Sequence, residues 1–176
     1  MRHVALLRGI NVGGNTMIKM TALKAAFEGC GFVNVSTYIN SGNLAFDMDL
    51  YGDEQLLVSL IEQAIETNFG KNIPVMIREQ SAIDIIIANN PFEGEFESHK
   101  EMHVLFMKEE MPIEKQEQLT AQQTPDERFS VRGREIYCHL RLGVADSLLG
   151  KGFIDKKLKV AVTGRNWRTT EMLASL

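Results

Sequence analysis

Arginine, asparagine and glycine gather in three short segments, each beside a strongly apolar stretch. The first is Arg8-Gly9-Ile10-Asn11-Val12-Gly13-Gly14-Asn15. A glycine-rich loop between a strand and a helix leaves backbone N–H groups free and lets an anion approach closely. Arg8, Asn11, Gly13, Gly14 and Asn15 are the candidate ligand contacts here. No Gly-Lys-Ser/Thr follows, so the loop is not a Walker A motif. The spacing of Gly9, Gly13 and Gly14 does not fit a dinucleotide fingerprint either. The competing structural reading is a turn that needs positive φ at Gly13 and Gly14.

The second segment, Tyr38-Ile39-Asn40-Ser41-Gly42-Asn43, has the residues of a plain hairpin turn. Tyr38, Asn40, Ser41 and Asn43 also offer side-chain hydrogen bonds at one sheet end. The third, Thr163-Gly164-Arg165-Asn166-Trp167-Arg168-Thr169, is expected to open the last helix, with Thr163 or Asn166 as its cap. Two arginines and a tryptophan at a helix start could hold a phosphate and stack a base, so Arg165, Asn166, Trp167, Arg168 and Thr169 join the candidates. The competing reading makes Trp167 a core anchor. A cleft built from residues 8–15, 38–43 and 163–169 would bind a phosphorylated small molecule or nucleotide.

Charge distribution fits that expectation. Residues 1–46 hold four Lys/Arg against Glu28 alone, and residues 141–170 hold seven against Asp146 and Asp155. Residues 47–127 hold five against eighteen Asp/Glu. If the basic ends meet, an electropositive patch sits on an otherwise acidic chain of net charge −4. That acidic total counts against general nucleic-acid binding, which is driven by neutralising phosphates. A sheet that stacked RNA bases would have Phe46 as its main aromatic. Two more functions fit the residues: an enzyme using the same cleft, and a protein-interaction module using the acidic band 93–101.

The surrounding elements follow from periodicity. His3–Leu7 reads as a buried strand, and Met20, Leu23, Phe27 and Cys30 lie at helical spacing. Val33–Ile39 alternates as a half-buried strand does, and Leu44–Phe46 returns from the turn. Asp53 caps a long helix with the stripe Leu56, Leu57, Leu60, Ile61, Ala64, Ile65, closed by Gly70. Ile73–Ile77 is the next strand, placed at an edge or strand start by Pro74. The order βαββαβ is the ferredoxin-like arrangement. The expected class is therefore α+β: a ferredoxin-like unit over residues 1–80, and a second, smaller α+β unit over 81–176 packed against it and ending in a helix. In the second unit, Met102–Met107 reads as a strand, Pro112–Gln122 as a helix, and Arg128–Arg132 and Glu135–Leu140 as a hairpin around Gly133. A partial second βαββα unit fits, without a convincing sequence repeat.

Cys30 and Cys138 have no metal spacing, and neither do His3, His99, His103 and His139. No cofactor or metal is expected. No apolar run approaches the about 20 residues that span a bilayer. The N-terminus has no signal-peptide core, so a cytoplasmic setting is expected.

Four stretches carry a resemblance: Leu6–Gly14, Thr37–Asn43, Asn90-Pro91-Phe92, and Thr163 with Arg165-Asn166-Trp167 and Thr169. The chain resembles the mainly bacterial family known as domain of unknown function 1697. The resemblance implies an α+β fold with ferredoxin-like parts and no activity. Two positions depart from it: Ser147-Leu148-Leu149, where many members have Ser-Lys-Leu, and Gly164, where relatives often have another small or polar residue.

Overall fold

The apolar run of β1 (Arg2–Leu7) forms the centre of a sheet, antiparallel to β3 (Asn43–Asp47) on one side and β4 (Val75–Glu79) on the other. The computed structural model describes residues 1–49 and 53–176. β2 (Val33–Tyr38) lies outside β3, which gives the order β2-β3-β1-β4. Helices α1 (Met20–Gly29) and α2 (Glu54–Phe69) bury their apolar stripes on one face of this sheet. Leu23 and Phe27 from α1, and Leu57, Ile61 and Ile65 from α2, share a core with Ala5, Leu7, Leu44, Phe46, Val75 and Ile77. The strand residues alternate along each strand, as one face of a pleated sheet requires.

Asp53 accepts a hydrogen bond from the Gln55 N–H at 3.0 Å, and Gly70 closes α2 in the left-handed conformation at φ +65°. The buried stripe of α2 is narrower than its apolar pattern, because Leu56 and Leu60 are exposed. Pro74 precedes an edge strand, where its missing N–H costs no ladder bond.

The chain divides into two units: Met1–Asp84 with Met172–Leu176, and Ile85–Glu171. The division falls within α3 (Gln80–Ala88). The last residues belong to the first unit rather than to the second. Arg2 Nε donates to the Leu176 carbonyl at 2.9 Å, and Gln80 Nε2 reaches the Leu173 and Leu176 carbonyls at 3.1 and 3.0 Å.

In the second unit β5 (Met102–Met107) is central, between β7 (Glu135–Leu140) and β8 (Val162–Asn166), with β6 (Glu127–Arg132) beyond β7. Leu119 of α4 (Ile113–Thr120), with Ile154 from a π-helical turn at Phe153–Lys157 and Leu158 that caps it, packs on Leu105, Phe129, Ile136 and Cys138. Residues 163–166, expected to lie at the opening of the terminal helix, instead form strand β8 together with Val162. Its β-branched Val162 and Thr163 pair with Met107 and Phe106, and helix α5 begins only at Trp167 and runs to Leu173. The two units are nearly equal in length.

The order β6-β7-β5-β8 repeats that of the first unit. Register repeats with it. His3 and Val4 face Glu79 and Arg78, while His103 and Val104 face Asn166 and Arg165. Arg78 and Arg165 are both buried.

A methyl group added at Gly42 would lie 2.7 Å from Leu7 Cβ and 3.0 Å from Ile10 Cδ1, at φ +87°. Gly70 also needs positive φ but has open space around it. Urea unfolding is expected to show Gly42→Ala losing about 2–4 kcal/mol, from overpacking and backbone strain together. Gly70→Ala should lose about 1 kcal/mol. Equal losses would contradict the close approach at Gly42.

Candidate functional site

Immediately after β1 the chain folds into a small finger. The Asn11 N–H donates to the Thr16 carbonyl and the Asn15 N–H to the Val12 carbonyl, both at 3.0 Å. Between them Gly13 (φ +58°) and Gly14 (φ +78°) form a two-residue turn of type I′. The structural reading of these glycines therefore holds.

Asn11 ties the finger down. Its Nδ2 donates to the Ile18 carbonyl at 2.9 Å and the Asn40 carbonyl at 2.8 Å, and its Oδ1 accepts from the Ile18 N–H at 2.7 Å. The bond to Asn40 joins residues 8–15 to the turn at 38–43. Asn43 is fully buried, and its Nδ2 donates to the Tyr38 carbonyl and to Ser41 Oγ, both at 2.9 Å. Of the candidate side chains, Asn11 is thus a strut between the two loops and Asn43 a brace within its own turn. Gly13, Gly14, Asn15 and Asn40 are exposed, and Arg8, Tyr38 and Ser41 are half-buried around them.

The third segment lies in the other unit. Arg165 is buried, its Nη1 donating to Thr163 Oγ1 and the Gly164 carbonyl, both at 2.9 Å. Burial pushes its guanidinium down to about 10. Asn166 caps α5 as expected, its Oδ1 accepting the Thr169 N–H at 2.9 Å. Trp167 is only 5% exposed and meets Phe96 edge-on at 6.0 Å, so it anchors the helix in the core and offers no open face for a base. Thr169 is buried, and Arg168 alone of the segment's charged side chains is exposed. Phe46 is not available for stacking either. It is buried on the helix-covered face against Phe27 and Phe32, because position 46 alternates inward on β3.

Sequence reasoning missed a charged cluster in the second unit. Strand register creates it: Arg128 lies opposite His139 across β6 and β7, and His139 opposite Met102, next to Glu101, across β5 and β7. Arg128 Nη2 lies 2.9 Å from His139 Nδ1, and His139 Nε2 lies 3.3 Å from Glu101 Oε2. The Arg128 guanidinium also sits 4.8 Å over the Phe92 ring. Phe92 is set by Asn90, whose Oδ1 accepts the Phe92 N–H at 3.0 Å. The hairpin around Gly133 is the one sequence signal that pairs Arg128 with His139.

These features define an α+β protein of two four-stranded antiparallel sheets, with an asparagine-clamped glycine finger at one sheet end. The chain belongs to the family described as protein of unknown function (DUF1697), whose sequence model matches residues 1–137. The stretch from Thr163 to Thr169 lies outside that match. The fold is similar to that of a conserved bacterial protein from Streptococcus pneumoniae, at 22% identity and TM-score 0.74, over 99% of this chain and 97% of that one. None of the curated proteins matches the chain. Among the described residues no helix is long and apolar enough to cross a membrane, and no group of three or more His, Cys, Asp or Glu could hold a metal ion.

Asn11→Ala would leave the Ile18 N–H and two carbonyls without their side-chain partner, and is expected to cost about 2–3 kcal/mol in urea unfolding. Asn15→Ala, at an exposed tip, should stay within about 0.5 kcal/mol; equal effects would remove the clamp.

Stability should also depend on pH through a buried histidine. Burial, with a smaller contribution from His99, pushes His103 from 6.5 down to about 4. Between those values the unfolded chain binds more protons than the folded one, so stability falls as pH is lowered through the window. His103→Gln should flatten that part of the pH–stability curve, leaving a residual slope from His3, which burial shifts in the same direction. An unchanged slope would contradict the assignment.

Proposed function

We propose that the chain binds a small phosphorylated molecule, a nucleotide or metabolite, at the joined loops 8–15 and 38–43. One observation carries this reading. Among the described residues, the N–H groups of Gly13 and Gly14 donate to no other atom, and both glycines are exposed on a turn held rigid by Asn11. Adjacent, unengaged N–H groups on a fixed turn suit phosphate oxygens, and need little reorganisation when an anion arrives. Arg8 at the root of the finger adds a guanidinium suited to bidentate contact with phosphate. Ser41 and Asn40 would bond the rest of the ligand. The cleft of this proposal has two walls, both in one unit. The strand order β2-β3-β1-β4, with helices between β1 and β2 and between β3 and β4, supports reading that unit as ferredoxin-like.

A thermal-shift screen of nucleotides and phosphorylated metabolites tests the proposal. A true ligand at about 100 times its dissociation constant should stabilise the protein by about 2.7 kcal/mol. Its unphosphorylated analogue should not, and Arg8→Ala should lose most of the shift. A shift of equal size in Arg8→Ala would refute the site, and no shift with any phosphorylated compound would refute the ligand class.

A further inference from the structure

The loop end of the first unit carries an apolar surface that phosphate binding alone leaves unused. Three loops meet there. The Arg8 N–H donates to the Pro74 carbonyl at 3.0 Å, and Asn11 Nδ2 donates to the Asn40 carbonyl at 2.8 Å. These bonds join residues 8–19, 39–42 and 70–74. Three exposed aliphatic side chains stand beside them. Val12 follows Asn11, Ile39 precedes Asn40, and Met17 precedes Ile18, whose N–H and carbonyl are both bonded to Asn11. They are 62%, 52% and 67% exposed. Exposed aliphatics are ordinary when scattered singly, as Ile113 and Leu142 are. Here three are tied to one asparagine.

Ile39 also takes a left-handed conformation, at φ +47°, which a β-branched residue rarely adopts. Clamps on either side hold it there: Asn43 Nδ2 on the Tyr38 carbonyl at 2.9 Å, and Asn11 on the Asn40 carbonyl. The fold thus keeps a strained residue whose apolar side chain faces water, and such strain persists where a surface has work to do. Charge narrows the partner. The three loops hold Arg8, Lys19 and Lys71 and no aspartate or glutamate. A matching partner is anionic and apolar at once, with phosphates for the Gly13 and Gly14 N–H groups. Residues 12–15 are all exposed, so the tip projects from the sheet end and does not enclose a ligand. A bilayer surface has this chemistry, with phosphates in a layer and hydrocarbon directly beneath.

We propose that this end of the first unit docks on an anionic phospholipid bilayer. Val12, Met17 and Ile39 enter the acyl boundary, and the glycine N–H groups meet headgroup phosphates. The proposal rests on the phosphate reading of the finger and adds what carries the phosphate. The test sediments the full chain with vesicles of equal parts phosphatidylglycerol and phosphatidylcholine, and with vesicles of phosphatidylcholine alone. Saturable binding to the mixed vesicles is expected, weaker on phosphatidylcholine and weakened by salt. Val12→Asn, Met17→Gln and Ile39→Asn should each lower the partition coefficient about three- to tenfold, as loss of a partly buried aliphatic requires. Asparagine accepts positive φ, so Ile39→Asn keeps the turn. Lys19→Gln and Lys71→Gln should each lower it about fivefold. Ile113→Gln, at an exposed aliphatic of α4, should bind as the unaltered chain does. In a second arm the Gly13 and Gly14 amide resonances are followed against glycerol 3-phosphate, a soluble headgroup fragment. Amide shifts without vesicle binding would overturn this proposal alone. Absent shifts would overturn the phosphate reading and this proposal with it. Vesicle binding unaltered in all three aliphatic variants, or equally strong on phosphatidylcholine alone, would also overturn the proposal.

Discussion

One side-chain amide holds the first unit's loop end together. Asn11 sits in the left-handed region at φ +55°, a conformation that costs a non-glycine residue of order 1 kcal/mol. Its three hydrogen bonds, each worth about 1 kcal/mol net, more than offset that cost. The constraint spreads from there. With Asn40 held, Gly42 comes against Leu7 and Ile10 and gives its carbonyl to the Leu7 N–H at 2.9 Å. The turn then delivers Asn43 to its buried place at the start of β3. The finger, the hairpin turn and the β1–β3 pairing are one cooperative object, and the glycine turn at its tip inherits their rigidity.

Both units use the same strand order, yet they distribute polar chemistry differently. In the first, asparagine amides satisfy backbone groups and leave glycine N–H groups outward. In the second, cross-strand pairing lines up Arg128 and His139 beside Glu101. The shared histidine–valine pairs at the start of β1 and β5, each facing a strand with a buried arginine, point to a common architectural plan. That likeness is one of register and burial, and it extends to hardly any other side chain.

How much of this was readable in the residues depends on how local each signal is. Asp53 and Gly70 mark α2 because capping involves only neighbouring residues. Gly133 marks its hairpin for the same reason. The Gly13-Gly14 turn was readable too, as a plain positive-φ turn. β8 was not, because Thr163-Gly164-Arg165-Asn166 has the composition of a loop or cap, and only pairing with β5 makes it a strand. Phe46 was misjudged as a stacking residue because a short strand does not reveal which of its faces is covered. Asn11 and Asn43 were read as ligand contacts for a related reason: an asparagine that bonds a ligand and one that bonds a distant carbonyl look alike in a sequence. The His139 cluster needs residues far apart in the chain to meet, so no motif announces it. Asn90-Pro91-Phe92, one of the stretches of family resemblance, does touch that cluster, because it fixes the ring beneath Arg128.

The finger and its neighbouring turn divide their polar groups between the inward-facing side chains of Asn11 and Asn43 and the outward-facing, unengaged N–H groups of Gly13 and Gly14. An NMR titration of the full chain with inorganic phosphate tests that division most directly. The Gly13 and Gly14 amide resonances should shift saturably, while the side-chain NH₂ resonances of Asn11 and Asn43 stay in place. Movement of the asparagine side chains with the glycine amides unmoved would contradict it.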